Sequence, residues 1–150
     1  MTVKPIPEGY HTVTPYLVVD DVERLLSFLK EGLGAIETHP IMRRPDGKVM
    51  HAEVKVGDSH IMMGEPMKPS DLRPATLYLY VADTDVVYNR AMKAGGESVM
   101  TPANQFYGDR NAGVRDPTGN VWWIATHVED VTPKELMRRA EAAAAAMAQK

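Results

Sequence analysis

His51, Glu53 and Lys55 alternate along one apolar stretch, and His60 follows just after a Gly57-Asp58 pair. On a strand, residues two apart share a face. Imidazoles and a carboxylate on one face can move protons or hold a divalent ion with open positions. A second set is Tyr107-Gly108-Asp109-Arg110, with Arg115 beyond it. Glycine there allows close backbone approach. Arg110 could fork a carboxylate or phosphate, or form a gate with Asp109. The chain has no cysteine, which excludes disulfides, thiolate nucleophiles and Cys-based zinc sites. No Ser-His-Asp constellation or Gly-rich phosphate loop offers another chemistry.

These residues need a scaffold. A chain of 150 residues makes one domain rather than two. Its 44% hydrophobic and 25% charged residues are globular values. A net charge of −3 argues against a nucleic-acid partner. No run reaches the roughly 20 apolar residues of a membrane helix. Residues 1–7 lack a signal peptide's apolar centre, so the expected location is cytoplasmic.

The chain repeats itself at an offset of 62: Thr14, Tyr16, Leu17, Val19, Asp21, Gly34 and Pro40 match Thr76, Tyr78, Leu79, Val81, Asp83, Gly96 and Pro102. Two β-α-β-β-β units follow, over about 11–66 and 75–128, with a C-terminal helix over about 132–149. In the first unit, 12–19 reads as a strand, Asp20 caps a helix with Glu23 completing a capping box, and 35–42 is extended. Gly57-Asp58 is a two-residue hairpin signal that pairs Val56 with Ser59, Lys55 with His60 and Glu53 with Met62. In the second unit, 83–94 is a helix, 97–101 a strand and 102–109 a long loop; 110–116 and 121–127 pair around an Asp116-Pro117-Thr118-Gly119 turn. The fold class is α+β.

Alternation sorts the faces. Ala52, Val54, Val56, Ile61, Met63, Ala112 and Val114 belong against the helices. His51, Glu53, Lys55, His60 and Met62 face the other way, with Asn111, Gly113, Arg115, Tyr16, Tyr78, Tyr80, Trp123 and His127. That interior is aromatic with a few ionisable groups, suited to a flat or apolar ligand. His11 and His39, near strand ends, read as surface residues, and Trp122 as packing.

Tyr16–Asp21, His51–Met63, Phe106–Arg110 and Asp116–His127, in this order and doubled, resemble the vicinal oxygen chelate superfamily of glyoxalase I, extradiol dioxygenases and bleomycin-resistance proteins, with wording similar to its PhnB-like branch. The resemblance implies two modules curled into an incomplete barrel, helices outside, a cavity inside, and a homodimer to which the C-terminal helix contributes. It places the metal-ligand positions on Thr14, Thr76, about Met62, and Trp123. None is a good ligand for a divalent ion.

Three readings stand. The first is a metal-free protein that binds an aromatic or cationic small molecule through Thr14, Tyr16, His60, Met62, Thr76, Tyr78, Tyr80, Tyr107, Asp109, Arg110, Arg115 and Trp123. The second is a lyase, isomerase or dioxygenase with a divalent metal displaced onto His51, Glu53 and His60. The third is a metal-free enzyme with His51 or Glu53 as general base. No cofactor is expected in the first.

Overall fold

The computed structural model describes residues 2–149. The first half holds β1 (Tyr16–Val18), α1 (Val22–Leu33), β2 (Ile36–Glu37), β3 (Met42–Arg43), β4 (Val49–Val56) and β5 (Ser59–Gly64). After a 3-10 turn at Pro69–Asp71 come β6 (Thr76–Tyr80), α2 (Thr84–Lys93), β7 (Glu97–Asn104), β8 (Asp109–Arg115), β9 (Val121–His127) and α3 (Pro133–Ala148). Two open sheets result, with no closed barrel. One runs β1-β5-β4-β2 with β3 also on β4; the other runs β6-β9-β8-β7. Among the described residues no helix is long and apolar enough to cross a membrane.

Each half uses the same device. The first strand lies parallel to the last, so Tyr16 pairs with Met62 and Tyr78 with Trp123. The Gly57-Asp58 turn sets the β4–β5 register as expected, from Val56↔Ser59 to Ala52↔Met63. Gly57 takes φ +57° while Asp58 keeps a negative φ, the arrangement in which glycine must come first.

Val22, Leu25, Leu26, Phe28 and Leu29 form the buried stripe of α1. Its N-cap is Asp21, which accepts from Arg24 N at 3.0 Å, and not Asp20. Asp83 caps α2 in the same way, accepting from Val86 N at 3.2 Å. The choice of Asp21 preserves the 62-residue offset, and Glu23 is free to pair with Arg43. The two helices meet where Gly32 rests on Ala91; a Cβ at Gly32 would lie 3.1 Å from the Ala91 Cα. One apolar cluster therefore spans both halves, from Leu17 to Ile124, and the opposite faces of the sheets are left for other uses.

Three boundaries differ from the sequence expectation. Of 12–19 only Tyr16–Val18 is strand, although Pro15 O still accepts from Met62 N at 2.9 Å. Of 35–42 only Ile36–Glu37 and Met42 are paired. The expected long loop at 102–109 is a four-residue turn, Gln105–Gly108, because β7 continues through Pro102. Register shifts on both sides of Met100 take up Pro102, which has no N–H for the ladder. Gly108, at φ +98°, closes that turn; a Cβ there would sit 2.2 Å from Glu129 O.

The Asp116 turn is structural. Asp116, buried, accepts from Thr118 N and Oγ1 (both 2.7 Å), Asn120 Nδ2 (3.0 Å) and Trp122 Nε1 (2.8 Å). This fixes Trp122 in the core.

Candidate functional site

The face of the first sheet turned away from the helices carries a cavity of about 560 Å³. Its floor is Glu53 on β4, only 2% exposed. A buried carboxylate must be satisfied, and Glu53 is: Tyr10 donates its hydroxyl proton to Oε2, and Thr38 Oγ1 donates to the same oxygen at 3.0 Å. His39 Nδ1 lies 2.7 Å from Oε2, His60 Nδ1 3.6 Å from Oε2, and His51 Nε2 3.8 Å from Oε1. Burial pushes the carboxyl up, but the two hydroxyls outweigh it, with His39 and His60 assisting, and hold it below the usual carboxylate range. The same contact, added to burial, raises the Tyr10 hydroxyl to about 12. His60 is closed off beneath Tyr10, their rings stacked at 3.9 Å and 12°. Pro5, Ile6, Pro7, Met42 and Met62 give the cavity apolar walls, and His11, Thr12, Thr14, His39 and His51 complete it.

The corresponding face of the second sheet carries a smaller cavity of about 310 Å³, lined by Tyr78, Met100, Gln105, Tyr107, Asn111 and Trp123. Behind it sits Asp109, 4% exposed, at the start of β8 rather than in a loop. Its Oδ2 accepts from Tyr78 at 2.7 Å and Tyr80 at 3.0 Å, and its Oδ1 lies 3.0 Å from His127 Nδ1. His127 Nε2 is 2.7 Å from Asp130. With a carboxylate at each nitrogen the imidazole favours its doubly protonated form, and its pKa is raised. Asp109 is pushed up by burial but more strongly down by His127, Tyr78 and Tyr80.

The Tyr78 proton is committed to Asp109, so its oxygen can only accept. That orients the Asn111 amide: Nδ2 donates to Tyr78 at 3.1 Å and to Tyr107 at 2.7 Å. Asn111 Oδ1 is then buried with no partner. Beside it the Trp123 ring lies on Gly113, where a Cβ would come within 2.8 Å of the ring. The cavity thus presents aromatic faces and the Asn111 side chain, whose buried Oδ1 is unused.

The sequence profile of the glyoxalase/bleomycin resistance protein/dioxygenase superfamily matches residues 10–124. The chain belongs to this superfamily. Uncharacterized protein Mb0911c of Mycobacterium bovis is 32% identical over 135 residues, covering 83% of this chain and 88% of that protein. Among solved structures, TioX from Micromonospora sp. ML1 has a TM-score of 0.62 at 22% identity, covering 81% of this chain and all of that one. The fosfomycin resistance protein FosX from Mesorhizobium loti has 0.59 at 16%, covering 85% and 97%. The glyoxalase superfamily explains the doubled sheet.

The metal positions that go with the superfamily do not fit a divalent ion in this chain. Thr14 and Met62 line the first cavity and Trp123 the second. Thr76 is exposed on β6, paired with Val121, and lines neither. A hydroxyl, a thioether and an indole are poor partners for such an ion. The displaced set of His51, Glu53 and His60 meets a Glu53 already loaded by two hydroxyls. Among the described residues no three His, Asp or Glu converge to hold a metal.

The remaining candidates of this glyoxalase-superfamily chain lie apart. Tyr16 is half-exposed, with its hydroxyl on Met50 O at 3.3 Å. Tyr80 lines a separate groove of about 730 Å³ beside the Gly57-Asp58 turn, shared with Tyr78, Ser59 and aliphatic residues. Arg110 does not gate a cavity. It shares the parity of Ala112 and Val114, so it turns to the helix side and forks Asp85 at 2.7 and 2.8 Å. Arg115, at the far end of β8, faces Glu97 at 3.8 Å. Sequence reasoning missed Tyr10 and Thr38, put Asn111 on the cavity face without giving it a role, and read His39 as a surface residue, which it is, although it also lines the cavity. The signal for the first two was Glu53 itself: a carboxylate mid-strand between buried neighbours requires donors from somewhere.

Proposed function

We propose that the protein binds a flat small organic molecule in the Trp123 cavity without a chelated metal, as a member of the PhnB-like branch. The carrying observation is the unpartnered, buried Asn111 Oδ1 beside the Trp123 ring. A buried acceptor left unpaired costs about 1–3 kcal/mol, and a ligand N–H recovers it. The Tyr107 hydroxyl, which accepts from the same amide, can donate outward to a ligand carbonyl. The two together suit the –NH–C=O edge of a planar cyclic amide. The rings of Trp123, Tyr78 and Tyr107 supply stacking area. No charged side chain lines this cavity, so of the aromatic and cationic ligands expected from the sequence it favours the aromatic. The short segments His51–Met63, Phe106–Arg110 and Asp116–His127 support the branch assignment.

The proposal extends to a homodimer. Tyr16, Tyr78, Tyr80 and Phe106 are all at least 40% exposed on the cavity side, more aromatic surface than a lone small domain usually leaves bare. Sedimentation at several concentrations tests it, a monomer throughout being the contrary result.

The binding test is a fluorescence titration with a panel of planar cyclic amides. Binding that changes Trp emission and is lost in Trp123→Ala supports the reading. Equal affinity in that variant refutes it.

A further inference from the structure

The first cavity is a different site with different chemistry, and it stands whether or not the Trp123 cavity binds amides. We infer that it is a proton-transfer site in which Nε2 of His39 is the base and Glu53 and Thr38 set its tautomer, for a weakly acidic small molecule with an apolar body.

The argument starts from proton counting. Thr38 has one hydroxyl proton, and it goes to Glu53 Oε2 at 3.0 Å. Thr38 Oγ1 is therefore an acceptor toward its other neighbour, His39 Nδ1, at 3.1 Å. The Glu53 carboxylate, its Oε2 2.7 Å from Nδ1, adds a negative charge beside that nitrogen. An accepting hydroxyl and a neighbouring carboxylate place the proton on Nδ1 of the neutral ring. Nε2 then keeps the lone pair. It belongs to a ring that lines the cavity and is half-exposed.

The neighbours fit this division of roles. Glu53 is buried, and its Oε2, the oxygen nearest His39, is held by the Tyr10 and Thr38 hydroxyls, so that oxygen orients the ring rather than receiving a proton. His60 is covered by Tyr10. The titratable groups facing His39 are Glu53 and His51 from β4, His60 from β5, and Tyr10 and His11 from the N-terminal segment. Glu53 is the one acid among these groups. Pro5, Ile6, Pro7, Met42 and Met62 would hold the apolar body and exclude water.

A nitrobenzisoxazole tests this without knowledge of the natural ligand. The base removes the ring C–H proton, the C–H electrons complete a nitrile, the N–O bond breaks, and the oxygen leaves as a coloured phenolate. Nε2 then returns its proton to water. The expected result is saturable turnover, on the order of a hundredfold above the same concentration of free imidazole. The rate should rise with pH as one imidazole loses its proton. His39→Gln should remove the excess while circular dichroism stays unchanged. Thr38→Val should lower kcat more than it changes KM and displace the pH profile. Nitrogen NMR should find neutral His39 protonated at Nδ1. Non-saturable turnover, turnover retained in His39→Gln, or an Nε2-protonated neutral ring would each overturn the inference.

Discussion

Trp123 lies flat against Gly113: a Cβ at that glycine would come 2.8 Å from Cζ3 and 3.1 Å from both Cε3 and Cη2. Gly113 has no positive φ, so the backbone would accept alanine and only the ring objects. Gly113→Ala should therefore cost about 1–3 kcal/mol, as overpacking does, and should weaken ligand binding by tilting the indole. Urea denaturation and a Trp emission titration measure the two effects. An unchanged emission spectrum would show that the ring is not seated there.

Asp116 accepts from Thr118, Asn120 and Trp122 inside the fold. Asp116→Ala leaves several buried donors unpaired and should lower stability by about 3 kcal/mol. Asp116→Asn keeps part of the pattern and should cost less. The denaturation midpoint should fall without a change in m.

Two of the buried carboxylates, Glu53 and Asp109, and His127 shape the pH dependence from opposite sides. Glu53 and Asp109 have lowered folded pKa values. Their stabilisation is present above the unfolded carboxylate value, about 4, and is lost as pH falls through the folded values. His127 is raised. Its contribution is complete below about 6.5 and is lost as pH climbs through the folded value. Thermal melts across pH should show both limbs. Asp109→Asn should flatten part of the acid limb and His127→Gln the alkaline one; an alkaline limb that persists in His127→Gln contradicts the assignment.

How much of this was legible beforehand varied by element. The β4–β5 register followed from Gly57-Asp58, because a two-residue turn leaves one pairing. The helix faces followed from apolar periodicity. The second ladder was partly hidden, since Pro102 suggested a loop and the compensating register shifts in β7 have no sequence mark. Arg110 looked like a ligand-binding group because it was placed with the loop; counting its parity with Ala112 and Val114 puts it beside Asp85. Tyr10 and His39 lie outside periodic segments, so nothing local ties them to Glu53. Their convergence is a tertiary fact.

The C-terminal helix depends on a few polar ties. None of its residues is buried, and Arg139, braced by Glu135 of the same helix, links it to Glu129 and to Phe106 O at 3.1 Å. Arg139→Ala should raise amide exchange in α3 and around Phe106-Tyr107 while leaving protection in β4 and α1 unchanged. Loss of protection throughout would mean that the helix supports the core.

Calorimetry on a matched pair of planar cyclic amides, one with a free N–H and one N-methylated, tests the central claim most directly. The protein should bind the N–H compound about tenfold or more tightly than its methylated twin, a difference of about 1.4 kcal/mol or more. Asn111→Leu should erase that preference. Equal affinity for both compounds, or a preference that survives in Asn111→Leu, would contradict the account.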